Sequence, residues 1–291
     1  MLTYQILRYS AEPYIPLSQL KSGLLVEDID CSNIAGWMWK HNIWAIIEGD
    51  QHYSHHWSKV PQKPYIMYYQ GNLDLLYYKK LAIVGSRMAT SYGKQIMKDL
   101  FEELAGKDIV TVSWWAEGID EQCHRLSIEK EIPTICILWW GLAYYLSHAR
   151  RELFEDIVAH GGLLLSEFRL KEKPAPYTFP QRNRIIAWLS DRLFVPCAAL
   201  DSGSLITVAD AKKSKVPVYG TPWSLYETGQ QWVNKSIADG DMHAVYNVAR
   251  FVDSLWLGQK NKDTQIPKDI FLTETQKLVY DYLQSWVSGI I

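Results

Sequence analysis

The chain has 291 residues, 48% of them hydrophobic, and a formal net charge of −2 at pH 7. That length and apolar content suffice for one full domain with smaller appendages, while the near-neutral charge excludes a polycation that binds nucleic acid by bulk attraction. No apolar run approaches the ~18 residues of a membrane span, and the start, Met1-Leu2-Thr3-Tyr4-Gln5, lacks the basic and apolar regions of an export signal, so a cytoplasmic protein with no membrane contact is expected.

The first 58 residues show no clear period and read as a small helical extension. From 59 to 257, short apolar runs alternate with helical patterns, which predicts an α/β fold with a doubly wound, mainly parallel sheet. Strands are predicted at Pro64 to Tyr69 and Leu81 to Val84, followed by an amphipathic helix between Ser91 and Lys107, where Ile96, Met97, Leu100, Phe101 and Leu104 recur at helical spacing. Further strands fall at Ile109 to Ser113, Thr134 to Leu138, Leu163 to Leu165, Arg192 to Val195 and Val216 to Tyr219. Helices are predicted at Ile119 to Lys130, Arg150 to His160, from Asn183, and at Ser204 to Ser214. The polar stretch from Gly258 reads as a linker, and Thr273 caps a last helix that looks like the start of a further helical segment within 258–291.

Several turns at predicted strand ends suit an anion. Gly85-Ser86-Arg87 leaves a buried strand for a helix, so backbone N–H groups, a hydroxyl and a guanidinium fork converge there. Alone such a turn is weak, and an ordinary loop with a solvated arginine accounts for it equally well. Ser202-Gly203-Ser204 opens another helix with hydroxyls and a glycine. Gly118-Ile119-Asp120 with His124 places an acid and a base on one helical face; no nucleophile sits in an elbow setting, so Asp120 is expected to cap the helix and hold His124 by a hydrogen bond. Between 169 and 192, six basic side chains face two acidic ones, a net +4 over 24 residues that includes Lys173, Arg182 and Arg184 with Tyr177 and Phe179. This is either a solvated loop or a groove that neutralises phosphates while an aromatic ring stacks a base. His52, His55 and His56 lack matched Cys or carboxylate ligands and read as a surface cluster, not a metal site. The four cysteines, Cys31, Cys123, Cys136 and Cys197, have no CxxC spacing and read as reduced, buried thiols.

In order and spacing, Leu81-Ala82-Ile83-Val84-Gly85-Ser86-Arg87, Gly118-Ile119-Asp120 with His124, Leu164-Leu165-Ser166-Glu167-Phe168, Phe179-Pro180-Gln181-Arg182-Asn183-Arg184 and Ser202-Gly203-Ser204-Leu205-Ile206-Thr207 resemble the DNA-processing protein A (DprA/Smf) family over about residues 40–250. The resemblance implies an extended Rossmann-like domain that binds single-stranded DNA without enzymatic activity or cofactor, forms a homodimer and loads the RecA recombinase during natural transformation. It places Gly85, Ser86, Arg87, Phe179, Arg182, Asn183, Arg184, Ser202 and Ser204 along the DNA path and implies that the tail from Leu272 begins a winged-helix-like segment; Gly203, from its turn, and Lys173, from the basic stretch, are read as further DNA contacts. The competing reading is a nucleotide enzyme or sensor on the same fold, although the Pro-Gly-Gly-x-Gly-Thr loop of the related phosphoribohydrolases does not occur here.

The sequence departs from the family pattern at Trp114, Trp139, Trp188, Trp223 and Trp232, where the family has glycine. Each lies near a predicted strand-to-helix turn, where a residue with φ > 0 favours glycine. The expectation is that UGA encodes glycine in this gene and was translated as tryptophan; the 17 glycines of the chain, slightly below the usual ~7%, agree with it. A chain carrying the indoles is expected to misfold or to bind DNA weakly.

Overall fold

A computed structural model describes residues 9–10, 32–48, 50, 52–53, 63–147, 149, 151–175, 178–199, 202–224, 226, 231–255 and 276, and within 178–182 it describes the backbone alone. The expected linker and winged-helix-like segment lie outside these residues apart from position 276.

Among the described residues one nine-stranded sheet organises the chain, in the order β1-β2-β6-β5-β4-β3-β7-β8-β9. The central strands are β3 (Lys80–Ile83), β4 (Val110–Trp114), β5 (Thr134–Ile137), β6 (Leu163–Ser166) and β7 (Arg192–Val195), with β8 (Val218–Gly220) and β9 (His243–Ala244) following β7. All neighbours from β6 through β9 run parallel. Positions along β3, β4, β5 and β6 are buried throughout, as expected of strands covered by helices on both faces and matching their continuous apolar runs. The other edge is different: β1 (Trp44–Ile47) pairs antiparallel with β2 (Ile66–Gly71), and β2 pairs antiparallel with β6. The sheet therefore reaches back to Trp44, ahead of the expected domain start at residue 59, while α1 (Ser32–Lys40) lies before it.

Among the described residues, five of the helices are the predicted ones, whereas those at Leu142–Tyr145, Gln231–Ala238 and Val248–Ser254 were not predicted. In α2 (Ser91–Leu104) the buried residues Met97, Leu100, Phe101 and Leu104 fall on one face, and the Thr90 side chain caps the start by accepting from the Gly93 N–H at 3.1 Å. The further helices are α3 (Ile119–Glu129), α4 (Leu142–Tyr145), α5 (Arg151–Ala159), α6 (Thr178–Leu189), α7 (Ser204–Lys213), α8 (Gln231–Ala238) and α9 (Val248–Ser254). Helix α6 begins five residues before the predicted Asn183, with Pro180 in its first turn, where a missing N–H costs nothing. No helix among the described residues is long and apolar enough to cross a membrane.

From β3 the chain winds to β4, β5 and β6 on one side and to β7, β8 and β9 on the other. The reversal between β3 and β7 leaves a crevice at the carboxyl ends of these strands, where doubly wound sheets hold ligands.

Candidate functional site

That crevice is a cavity of about 310 Å³ built from four parts of the chain. Gly85, Ser86 and Arg87 enter from the end of β3, Ser202, Gly203 and Ser204 from the start of α7, and Asn183 from α6. Trp114, at the end of β4, and Asp120, in the first turn of α3, complete it. Seven of the expected DNA-path residues therefore share one cavity, although they span 120 positions of sequence. Arg87 is exposed, whereas Ser86, Asn183 and Ser204 are buried at 6%, 1% and 2% exposure. The Ser202 and Ser204 hydroxyls are 2.6 Å apart.

Two glycines make this packing possible. A Cβ on Gly85 would stand 2.8 Å from the Cys197 carbonyl oxygen and from Ile119 Cγ1, and one on Gly118, whose φ is +88°, would stand 2.3 Å from the Ser86 carbonyl oxygen. The start of α3 is thereby pressed onto the turn after β3, with the Ile119 N–H donating to the Ser86 carbonyl at 3.2 Å. One expectation is corrected at this turn. The Ser86 N–H donates to the Cys197 carbonyl at 2.9 Å, joining the ends of β3 and β7, so it is spent on the fold instead of on an anion. The Ser86 hydroxyl is engaged within the turn as well, donating to the Met88 carbonyl and accepting from the Met88 N–H, both at 3.2 Å, and the Arg87 guanidinium is the exposed cation of this turn.

Helix α3 carries a second correction. Gly118 occupies its N-cap position without a side-chain cap, and Asp120 does not hold His124. Asp120 accepts from the Ser113 hydroxyl at 3.3 Å. His124 lies between Thr134 Oγ1, 2.9 Å from Nδ1, and the Trp114 carbonyl oxygen, 3.1 Å from Nε2. A carbonyl only accepts, so Nε2 carries the proton and Nδ1 accepts from the Thr134 hydroxyl. Full burial pushes the imidazole pKa down from 6.5 to about 4, against the opposing pull of the Trp114 carbonyl. The unfolded chain binds this proton near 6.5 and the folded chain only near 4, so acid favours unfolding between these values. His124→Gln is expected to remove up to about 3 kcal/mol of pH dependence across that window, read by denaturant titrations from pH 7 to 4.

Arg184 does not line the cavity. It forms a two-point ion pair with Glu167, Nη1 to Oε1 and Nη2 to Oε2 both at 2.5 Å, and its guanidinium lies 5.3 Å from the Trp188 ring centroid. The pair's side chains are 13% and 12% exposed. Elsewhere in the basic stretch, Arg169 sits 4.2 Å over the Tyr9 ring and Arg192 lies 5.8 Å from the Tyr219 ring. The count of +4 therefore overstates the free charge, because Glu167 lies two residues outside the counted window. Lys173 is exposed and stands apart from the cavity. The side chains of Phe179 and Arg182 lie outside the described residues, and their backbone belongs to α6.

The histidines and cysteines divide similarly. His52 is buried, its N–H donating to Asp50 Oδ1 at 2.8 Å and its Nδ1 standing 3.3 Å from the Tyr77 hydroxyl, so it is not part of a surface cluster; His55 and His56 lie outside the described residues. Cys123, Cys136 and Cys197 are buried free thiols, and Cys31 lies outside the described residues.

None of the five tryptophans takes a positive φ: the non-glycine residues that do, among those described, are Asn42, Glu131 and Lys215. Trp114 is extended at the end of β4, Trp188 and Trp232 are helical, and Trp139 and Trp223 lie in the segments after β5 and β8. Those are conformations that any residue adopts, so the backbone argument for glycine fails at all five. Trp223 is well accommodated, its indole N–H donating to the Pro196 carbonyl at 3.1 Å and its ring meeting Tyr92 edge-on at 4.8 Å. The family pattern and the slightly low glycine count then carry the recoding expectation. Mass mapping of peptides from the protein made in its native host is expected to read glycine at all five positions, and tryptophan at these positions would end the idea. Glycine at 114 would also widen the cavity by the volume of an indole.

Sequence reasoning missed Met88 and Ile206 as cavity residues, although both are embedded in the turns that it singled out.

Comparison with known proteins agrees with this architecture. The family model described as DNA recombination-mediator protein A matches residues 44–255. The DNA processing protein DprA of Streptococcus pneumoniae is 33% identical over 197 residues, which is 68% of this chain and 66% of that protein. The Bacillus subtilis DprA is 35% identical over 173 residues, 59% and 58% of the two chains. The match thus spans two thirds or less of these curated relatives' own length. Among solved structures, the Streptococcus pneumoniae DprA superposes with a TM-score of 0.70 at 27% identity, covering 87% of this chain and 92% of that one. The Helicobacter pylori protein, whose single-stranded DNA binding mode has been described, gives 0.66 at 28% identity, covering 73% and 95%. A family model that takes in the whole sheet, from β1 to the helix after β9, and structures that superpose on it lead to one conclusion: the chain belongs to the DNA recombination-mediator protein A family.

Proposed function

We propose that this protein binds single-stranded DNA at the switch-point cleft and passes it to a RecA-type recombinase, acting as a binding protein and not as an enzyme. The observation that carries this is the convergence of exposed Arg87 with the Ser86, Ser202 and Ser204 hydroxyls and the Asn183 amide in one cavity, a set suited to phosphate oxygens. The Helicobacter pylori relative's single-stranded DNA binding supports the choice of ligand. The buried Asp120 carboxyl lines the same cavity. In this reading Lys173, Phe179 and Arg182, in and before the start of α6, extend the track to neighbouring nucleotides, and a homodimer doubles it.

The test is fluorescence anisotropy of a labelled single-stranded oligonucleotide across a salt series, with duplex and mononucleotide competitors. Salt-sensitive binding that neither competitor displaces is expected. Displacement by a mononucleotide would transfer the cleft to a nucleotide enzyme or sensor, and absence of binding would remove the proposal. RecA delivery is read separately, as faster strand pairing on protein-coated single strands.

A further inference from the structure

We infer that Met88 and Ile206 form an apolar contact for unstacked bases of the same strand, so that the cleft holds base as well as phosphate. This rests on the reading of the cleft as a single-stranded DNA site. Both residues line the cavity, and both are exposed, Met88 at 84% and Ile206 at 43%. They come from opposite sides of the switch point: Met88 directly follows Gly85-Ser86-Arg87, and Ile206 follows Ser202-Gly203-Ser204 in the first turn of α7. Single exposed apolar side chains are common on protein surfaces, and what singles out these two is that both line the same polar cavity. The turn fixes Met88 in place, its N–H donating to the Ser86 hydroxyl at 3.2 Å.

The occupant follows from continuity with the phosphate-binding groups. Each apolar side chain is within two residues of a hydroxyl or guanidinium proposed to hold the backbone, so a strand with its phosphate at Arg87 and Ser204 projects its bases toward the rim. Single strands expose base faces that a duplex hides, and an apolar contact is indifferent to base identity. Methionine suits this role because its unbranched thioether adapts to different base shapes. The rim would therefore discriminate single strand from duplex without reading sequence.

The experiment is a salt titration of single-stranded DNA binding by Met88→Ala, Ile206→Ala and the double variant, each against a normal and an abasic oligonucleotide of equal length. Both side chains are exposed, so the variants keep the fold, and matching thermal melts check this. The double variant is expected to bind the normal strand roughly five- to tenfold more weakly, with an unchanged slope of log affinity against log salt. On the abasic strand, variant and native proteins are expected to bind alike, since the partner of the lost contact is already missing. An equal loss on both strands, or no loss on the normal strand, overturns the inference. Arg87→Ala, run in parallel, tells the two proposals apart. If it lowers the slope while the rim variants change nothing, the base contact alone fails; if it also changes nothing, the cleft is not the DNA site.

Discussion

Replacing Arg184 by alanine is expected to destabilise the protein by about 3 kcal/mol and to leave the salt dependence of DNA binding nearly unchanged. The guanidinium meets both Glu167 oxygens at 2.5 Å, tying α6 to the residue that follows β6. Removing one member of such a pair strands the other charge in a poorly hydrated place, which costs about 3–5 kcal/mol in buried cases. Side-chain exposures of 13% and 12% put this pair toward the lower end of that range. The loss of the guanidinium packed beside Trp188 adds to the effect. Pairing Arg184→Leu with Glu167→Leu is expected to recover most of the stability, because replacing both charges by packed apolar groups is often neutral. Denaturant titrations of the two single variants and the double variant measure the coupling. A stable Arg184→Ala protein whose salt slope falls by about one would reverse the assignment and return Arg184 to the phosphate track that its sequence neighbourhood suggests.

Arg184 also shows where a sequence stops being legible. The central strands were readable because a parallel strand buried on both faces is mostly apolar, and the short apolar runs within Leu81 to Val84, Thr134 to Leu138 and Arg192 to Val195 announce themselves in that way. The crossover helix at Ser91 announces itself by its apolar spacing. Of the antiparallel edge, Pro64 to Tyr69 was readable as a strand but Trp44 to Ile47, which pairs with Ile66 to Tyr69 across an intervening segment, was not, because nothing local distinguishes such a short run from a buried helix. The cavity was legible as a set of strand-end turns, since the topology brings every carboxyl end to one side. Its side-chain partnerships were not. Glu167 stands 17 residues from Arg184, and the partners of His124 are Thr134 and the Trp114 carbonyl, whereas helical spacing pointed to Asp120. The turn argument for glycine at the tryptophans fails for the same reason: a glycine in a family pattern marks either a left-handed backbone or a close approach, and none of these positions takes a positive φ. Gly85 and Gly118 are where close approach and positive φ do demand glycine, the first expected on the DNA path and the second in a structural turn.

Arg87→Ala is expected to weaken single-stranded DNA binding about tenfold near physiological salt and to lower the slope of log affinity against log salt by about one. Unlike Arg184, Arg87 is exposed and lines the cavity together with Ser86, Ser202 and Ser204, which places its fork where a phosphate in the cleft would be met. A charge-assisted hydrogen bond of this kind contributes about 1.5–3 kcal/mol, and partial rehydration of the freed phosphate brings the net loss toward the lower value. Because a phosphate carries no sequence information, the loss should be equal on oligonucleotides of different composition. Arg87→Lys separates charge from geometry: it keeps the released counterion, and so the slope, but loses the planar fork, giving a smaller fall in affinity. Exposure of the side chain also predicts an unchanged melting temperature in both variants, which distinguishes them from Arg184→Ala, where stability falls first. A lower affinity with an unchanged slope would mean that Arg87 positions the turn after β3 and does not touch the strand, and the phosphate would then have to be sought among Lys173 and Arg182.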